Sequence, residues 1–489
     1  MFVGPSDARA GGQFVAEVTL EFVHPEDPGF RMPTDVAVAP DGTVFVADGS
    51  HNRISRFDAA GVWREDIRAV GDHVLASPVG LDYHADAGLW IADSGNHQAL
   101  LLTPAGALGR KIVPLHGTSH FPPDITDVVT TSDGTAVWLV DNDNNHLIRW
   151  NLIDESHLQI GEQGESLGSM QHPFLIARNA EDDVLVTDVI NGRVSVFSGT
   201  GSPRPSVGAY GIEPGQLYRP KGVACDTENN VWVSDGTLNV IQVFSKDGSL
   251  LDVLRGSDGK PMKFEFPMGI TFDGQGRVYV VELLADRVVR LEVKQTRPST
   301  GSFPQSKRTK IVGGQARSCT VCHIEWIEPF SRGVATALAD SPPSTDEQPA
   351  ASRGEMCLSC HDASVVDSRH RVWDAHGHRT GVAPPSEMKV PAQLPLVNGE
   401  IACRTCHSAH AGGAFMSDFR TAVFLRMPNQ ASELCISCHQ DKTRGPEFGT
   451  HPVGGMPWVL PRSLVAAGAF GRSSPGHGNR LESALSFLP

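Results

Sequence analysis

Pro33-Thr-Asp-Val-Ala-Val-Ala-Pro-Asp41-Gly-Thr-Val-Phe-Val-Ala-Asp48-Gly-Ser-His51-Asn52-Arg53-Ile54-Ser-Arg-Phe57 reads as an apolar strand, an Asp-Gly turn, a second apolar strand ending on an acid, and a polar turn into a third strand. The pattern recurs, ending its second strand at Asp93, Asp141, Asp188, Asp235 and Glu282, in steps of 45, 48, 47, 47 and 47 residues. A fixed period of this size marks a repeat architecture, because a single unit cannot bury its apolar faces alone. Six units of about four strands each predict a six-bladed β-propeller, a mainly β fold. Asp41-Gly42, Asp133-Gly134 and Asp273-Gly274 are predicted hairpin turns. Residues 14–23 alternate like a strand ahead of the first unit. They are expected to complete the last blade and so remove the exposed sheet edges.

The polar turns Gly49-Ser-His51-Asn52-Arg53-Ile54, Gly95-Asn96-His97-Gln98, Asn144-Asn145-His146-Leu147-Ile148 and Asn191-Gly192-Arg193-Val194 resemble NHL repeats. The resemblance covers most of residues 14–293, and the last two units depart from it with Leu238-Asn239-Val240 and Ala285-Asp286-Arg287-Val288. It implies a fold and leaves activity open. Small NHL-type propellers include lyases and hydrolases with a metal in the central channel, and no further constellation here demands one. The repeated acids are expected to cap backbone amides or to pair with the neighbouring Arg. His51, His97 and His146 read as one recurring turn position.

The last third has a different chemistry. Cys319-Thr-Val-Cys322-His323, Cys357-Leu-Ser-Cys360-His361, Cys403-Arg-Thr-Cys406-His407 and Cys435-Ile-Ser-Cys438-His439 are four copies of the c-type haem attachment signature. Two thiols bond to the porphyrin edge, and the adjacent imidazole binds iron. Cys-x-x-Cys alone also serves zinc or redox pairs, but chance would place His after all four pairs with a probability of only about 10⁻⁶. Four haem c groups are therefore expected, with His323, His361, His407 and His439 as proximal ligands.

The chain of 489 residues implies two or more domains, and 40% hydrophobic content allows a substantial core. Its expected parts are a propeller at 1–293, a basic linker at 294–318 and a tetrahaem domain at 319–489, packed around haem with short helices and irregular chain. A net charge of -15 argues against nucleic acid and anionic membrane surfaces. No run of 18 apolar residues predicts a membrane span. No secretory signal is visible, whereas c-type haem is attached outside the cytoplasmic membrane. The chain's start is thus expected to be processed, truncated or misassigned, and the protein to be exported to the periplasm, cell surface or medium. Cys225, the one cysteine outside the four motifs, falls in a predicted strand and reads as a small buried hydrophobe.

The sixth iron ligand decides between closed electron carriers and open catalytic haems. Ten of the 20 histidines fall at or after residue 319. Six remain once the proximal four are assigned, which favours bis-His ligation. The region resembles doubled-CXXCH multihaem cytochromes in Cys360-His361-Asp-Ala-Ser, in Cys406-His407-Ser-Ala-His410 followed by Ser432-Glu-Leu-Cys435, and in Gly449-Thr-His451-Pro-Val-Gly454. That resemblance implies His410 and His451 as distal ligands, and His378-Arg-Thr-Gly-Val as a variant of the same segment. An internal repeat running from His378 to His410, and again from His451 to Ser474-Pro-Gly-His477, adds His477. His370 and His376 are its rivals. The first motif departs from the family, with Trp326 where His is expected. Its haem must take a ligand from afar or from another chain.

The expected function is electron transfer without catalysis, to other electron-transfer proteins or an extracellular acceptor. A sharper form has the chain self-associating into an extracellular cytochrome filament with the propeller outside. The alternative is a propeller oxidoreductase drained by the haems, which calls for a copper-binding His cluster, a quinone-cofactor pocket or an open haem. A third reading makes the propeller a binding module for a protein, mineral or cell-surface polymer.

Overall fold

The computed structural model describes residues 13–27, 29–114, 122–296, 361–365, 367, 369, 383–386, 388–392, 394–396, 399–401 and 405. They fall into two compact units, one holding 13–296 with 361–369 and the other holding 383–405.

The first unit contains six four-stranded antiparallel sheets. From the innermost strand outward, blade 1 is Val36–Val38, Val44–Asp48, Arg53–Phe57 and Trp63–Ile67, and blade 2 is Leu81–His84, Gly88–Asp93, Gln98–Leu102 and Leu108–Ile112. Blade 3 is Ile125–Thr130, Ala136–Asp141, His146–Asn151 and His157–Ile160, and blade 4 is Pro173–Arg178, Val184–Asp188, Arg193–Phe197 and Pro203–Val207. Blade 5 is Pro220–Cys225, Val231–Asp235, Val240–Phe244 and Leu250–Val253. Each innermost strand packs on the next, and blade 6 packs on blade 1, so the ring is closed. It is a six-bladed propeller, as the 47-residue spacing predicts.

Blade 6 joins the two ends of this region. Pro267–Phe272, Val278–Glu282 and Arg287–Thr296 supply three strands, and Gln13–Phe22 supplies the outermost. The register runs from Gln13 opposite Thr296 to Phe22 opposite Val288, with a bulge between Val18 and Leu20. The last strand ends at Thr296 rather than 293, so the stretch expected to open a linker begins inside the sheet, with Lys294 opposite Val15.

The second strand of every blade is apolar on both faces because its sheet is covered by a blade on either side. Val137, Trp138, Leu139 and Val140 are all buried, and Trp90, Trp138 and Trp232 occupy one position, three residues before the acid. These side chains fill the layers between blades. Outermost strands are the most exposed, as in Trp63–Ile67, where Arg64 and Glu65 are exposed and Trp63, Asp66 and Ile67 half-buried.

One predicted turn forms differently. At Asp41-Gly42 and Asp133-Gly134 the glycine takes positive φ, of 85° and 67°. At Asp273-Gly274 the left-handed residue is Gly276 (φ 77°), and Asp273 Oδ1 accepts the amides of Gln275 and Arg277. The loop has the same five residues as the other two, and Gly276 donates to the Asp273 carbonyl as Gly42 does to Ala39, so the Asp-Gly pair simply stands two places earlier in the turn.

Candidate functional site

The repeated acid is the hub of each blade's polar turn. The residue five places on reaches back to it in five blades. Arg53 Nε donates to Asp48 (2.9 Å), Gln98 Nε2 to Asp93 (2.7 Å), Arg193 Nε to Asp188 (2.9 Å) and Arg287 Nε to Glu282 (2.7 Å). His146 Nε2 lies 3.2 Å from Asp141. Val240 fills this place in blade 5, where Asp235 accepts the amides of Tyr218 (2.6 Å), Arg219 (3.0 Å) and Leu238 (3.0 Å) instead. The residue four places past the acid has positive φ in every blade, and where it is Asn or Asp its side chain accepts an amide of the next blade. Asn52 takes Ser77, Asn145 takes His172, Asn239 takes Phe266 and Asp286 takes Met32. The expectation that the acids cap amides and pair with Arg describes this geometry.

The three turn histidines do not share a position. His51 lies three residues after its acid and bonds Asp48 through Nδ1 (2.8 Å). His97 lies four after and takes the left-handed place (φ 57°), its Nδ1 2.8 Å from the Pro123 carbonyl. His146 lies five after and opens a strand. The strand register separates positions that spacing in the sequence merges.

A channel of about 380 Å³ runs along the ring axis. Three carboxylates face it, Asp82 and Asp127 on innermost strands and Asp35 just ahead of one, and each reaches across to the following blade. Asp35 accepts the Leu81 amide (2.8 Å), Asp82 accepts the Thr130 amide (2.9 Å) and hydroxyl (2.8 Å), and Asp127 accepts the Ile176 amide (2.7 Å). Gly80 and Gly269 leave room for them, since a Cβ there would stand 2.1 Å from Asp127 Oδ1 and 2.0 Å from Asp35 Oδ1. Burial pushes Asp35 up to about 7, against the pull of the Leu81 and Val36 amides. Burial also raises Asp127 well above the usual carboxylate range, and the neighbouring Asp35 charge adds to it. Burial raises Asp82. None of the three was singled out from sequence. The available signal was Thr-Asp-Val, standing at both 34–36 and 126–128 in otherwise apolar strands. Among the described residues, no three His, Cys, Asp or Glu side chains are grouped to hold a metal ion.

Cys225 ends an innermost strand and is half-buried beside the core between blades 4 and 5, not enclosed within it. Burial pushes its thiol up to about 12, with the Asp226 charge adding to it. That is the environment of an inert thiol.

The other end of the ring holds a piece of the cysteine-rich region. Asp362 Oδ2 lies 2.7 Å from Lys221 Nζ of blade 5, and neither side chain is exposed (0% and 0%). Lys221 also donates to Ser364 Oγ (2.5 Å), and Asn142 of blade 3 donates to the Ser364 carbonyl (2.9 Å). Ser364 donates from its amide (3.0 Å) and hydroxyl (2.6 Å) to Asp362 Oδ1, which folds the segment on itself. Arg369 is fully buried, 3.0 Å from Asp367, with its guanidinium against Gly49 of blade 1.

Of the haem residues, only His361 lies among those described. Cys319, Cys322, Cys357, Cys360, Cys403, Cys406, Cys435 and Cys438 lie outside them. So do His323, His407 and His439, the distal candidates His378, His410, His451 and His477, and the rivals His370 and His376. His361 is exposed, whereas Asp362, Ala363 and Ser364 behind it are buried. An exposed imidazole leaves room beside it for a planar macrocycle. No helix among the described residues is long and apolar enough to cross a membrane.

Among solved structures, the chain is similar to a streptogramin B lyase at 14% identity, covering 59% of this chain and 100% of that one with a TM-score of 0.44. It is also similar to a virginiamycin B lyase from Staphylococcus aureus at 15% identity, covering 57% and 99% with a TM-score of 0.42. A gluconolactonase from Xanthomonas campestris matches at 14% identity, covering 59% and 99% with a TM-score of 0.43. No curated protein matches the chain. The six sheets themselves establish the propeller, and residues 30–57 match the NHL repeat family model.

Proposed function

We propose that this chain is an exported tetrahaem c-type cytochrome that transfers electrons, with the propeller as its scaffold or docking surface. The observation that carries the reading is the set of four Cys-x-x-Cys-His motifs between Cys319 and His439. When bound, haem c supplies one-electron chemistry at iron. The paired cysteines would hold each porphyrin by thioethers, and His323, His361, His407 and His439 would bind the irons. His378, His410, His451 and His477 would close the sixth positions, with His370 and His376 as substitutes. The exposed His361 supports this assignment for the second motif. Closed bis-His sites suit a carrier that passes electrons to another protein or an extracellular acceptor, and the missing nearby ligand of the first motif suits self-association, up to a filament.

The test is expression through an exporting, haem-ligating host, followed by intact mass and a pyridine haemochrome spectrum. Four covalent haems per chain are expected. A mass equal to the bare polypeptide, with the thiols free, would sink the reading. Electron microscopy of the same material separates filaments from single particles.

The channel carboxylates favour a second reading, in which the propeller turns over a substrate. A carboxyl that titrates near neutrality is suited to general acid–base work. The amides and hydroxyl that Asp35, Asp82 and Asp127 accept weigh on the structural side. Loss of a measured turnover in Asp35→Asn, with an undiminished melting temperature, would reverse that weighting.

A further inference from the structure

The segment after the second haem motif meets the ring at three places on alternate blades. Lys221 (blade 5) holds Asp362 and Ser364, Asn142 (blade 3) holds the Ser364 carbonyl, and Gly49 (blade 1) admits Arg369. Contacts from blades 1, 3 and 5 surround the axis, so the segment lies across the end of the ring. A Cβ on Gly49 would stand 2.7 Å and 2.8 Å from the Arg369 guanidinium nitrogens and 2.4 Å from the Pro78 carbonyl. Glycine there leaves a slot that Arg369 fills. Ala363 holds a left-handed conformation (φ 84°), which costs free energy for a residue with a Cβ. A segment that buries an ion pair and keeps a strained turn is seated by specific contacts.

Asp362 is the residue next to His361. We infer that Lys221 is a positioning residue for the second haem: by holding Asp362 it seats the proximal His361 on the ring and sets the charge that this haem experiences. The inference rests on the tetrahaem reading. It makes the propeller part of the redox machinery and not only a covering, because a buried cation of blade 5 is one residue removed from an iron ligand. Burial removes the water that would otherwise screen that charge.

The sign of the effect separates this role from a merely structural one. A nearby positive charge favours the reduced, less positive haem, and a nearby negative charge favours the oxidised one. In the full-length, haem-loaded protein, the four midpoint potentials would be measured by mediated spectroelectrochemistry in Lys221→Gln, Asp362→Asn and the double variant. One potential is expected to fall in Lys221→Gln, the same one to rise in Asp362→Asn, and the double variant to lie between, with the other three unmoved. Shifts of one sign in both single variants would show loosened packing and overturn the inference. So would four unmoved potentials. A haem count below one at Cys357 and Cys360, read from the peptide mass, would overturn the haem reading itself. In that case the Lys221–Asp362 contact is still read from coupling of the two substitutions in thermal melting, and the two failures are distinguishable.

Discussion

Lys221 and Asp362 lie 2.7 Å apart with no exposure of either side chain, and they come from parts of the chain with different composition. An ion pair in this setting is asymmetric in its consequences. Removing one member leaves the other charged and dry, whereas removing both leaves only shape to repair.

Lys221→Met is therefore expected to release the segment at 361–369, at a cost of about 3–5 kcal/mol to its docking. Lys221→Met with Asp362→Leu is expected to regain most of it. Amide hydrogen exchange of residues 361–369 checks both. Equal protection in the wild type and the single variant would mean that the pair does not hold the segment.

Deleting residues 1–23 removes the outermost strand of blade 6 and bares the edge of Arg287–Thr296. Unpaired edges template further pairing. Aggregated or dimeric material is expected in size-exclusion chromatography, and the separate peptide is expected to restore the monomer. A stable monomer without the strand would show that the seam is dispensable.

The channel predicts a pH dependence. Asp35 has its folded pKa raised to about 7, so between the unfolded carboxylate value and 7 the folded state binds more protons than the unfolded state. Stability from this group is present at acid pH and is lost as pH rises toward 7. Asp35→Asn removes the titration, so its melting temperature is expected to gain on the wild type as pH rises from 5 to 8. Parallel melting curves across that range would place the proton elsewhere.

Asp66 carries the opposite sign. Burial pushes it up, but the Ser55 hydroxyl and the Arg53 guanidinium outweigh this and hold it below the usual range. Its contribution is present above the unfolded pKa and is lost as pH falls through the folded one. Asp66→Asn is expected to melt earlier than the wild type at pH 7, with the gap narrowing as pH falls below the unfolded carboxylate value. A gap that does not narrow on acidification would assign the loss to packing.

Trp138 is nearly fully buried between blades. Trp138→Ala is expected to cost about 3–5 kcal/mol in chemical denaturation. A loss below about 1 kcal/mol would mean that the interblade layer relaxes to fill the space.

The propeller was legible because its signals are local and repeated. The acids at 48, 93, 141, 188, 235 and 282 each follow a strand that is apolar on both faces, and only stacked blades bury such strands. The pairing of Arg53, Arg193 and Arg287 with those acids was readable from the five-residue offset. The three turn histidines were not, since offsets of three, four and five look alike until strand register separates them. Asp35 and Asp127 escaped notice because an Asp in a strand reads as an exposed residue unless the axial channel is known. The docking of Asp362 was out of reach for a different reason. Ser364 lies 143 residues from Lys221, and nothing near either residue announces the other.

The seam in blade 6 also orders events in time. The strand Gln13–Phe22 is made before the rest of the ring and must wait for Arg287–Thr296 before it has a partner. The ring can therefore shut only after all of its blades exist, whereas the first Cys-x-x-Cys-His, at Cys319, lies beyond its last strand and is not needed for closure. The ring needs no residue beyond Thr296 to close, whereas Asp362 needs the ring for its partner, so the dependence between host and guest runs one way.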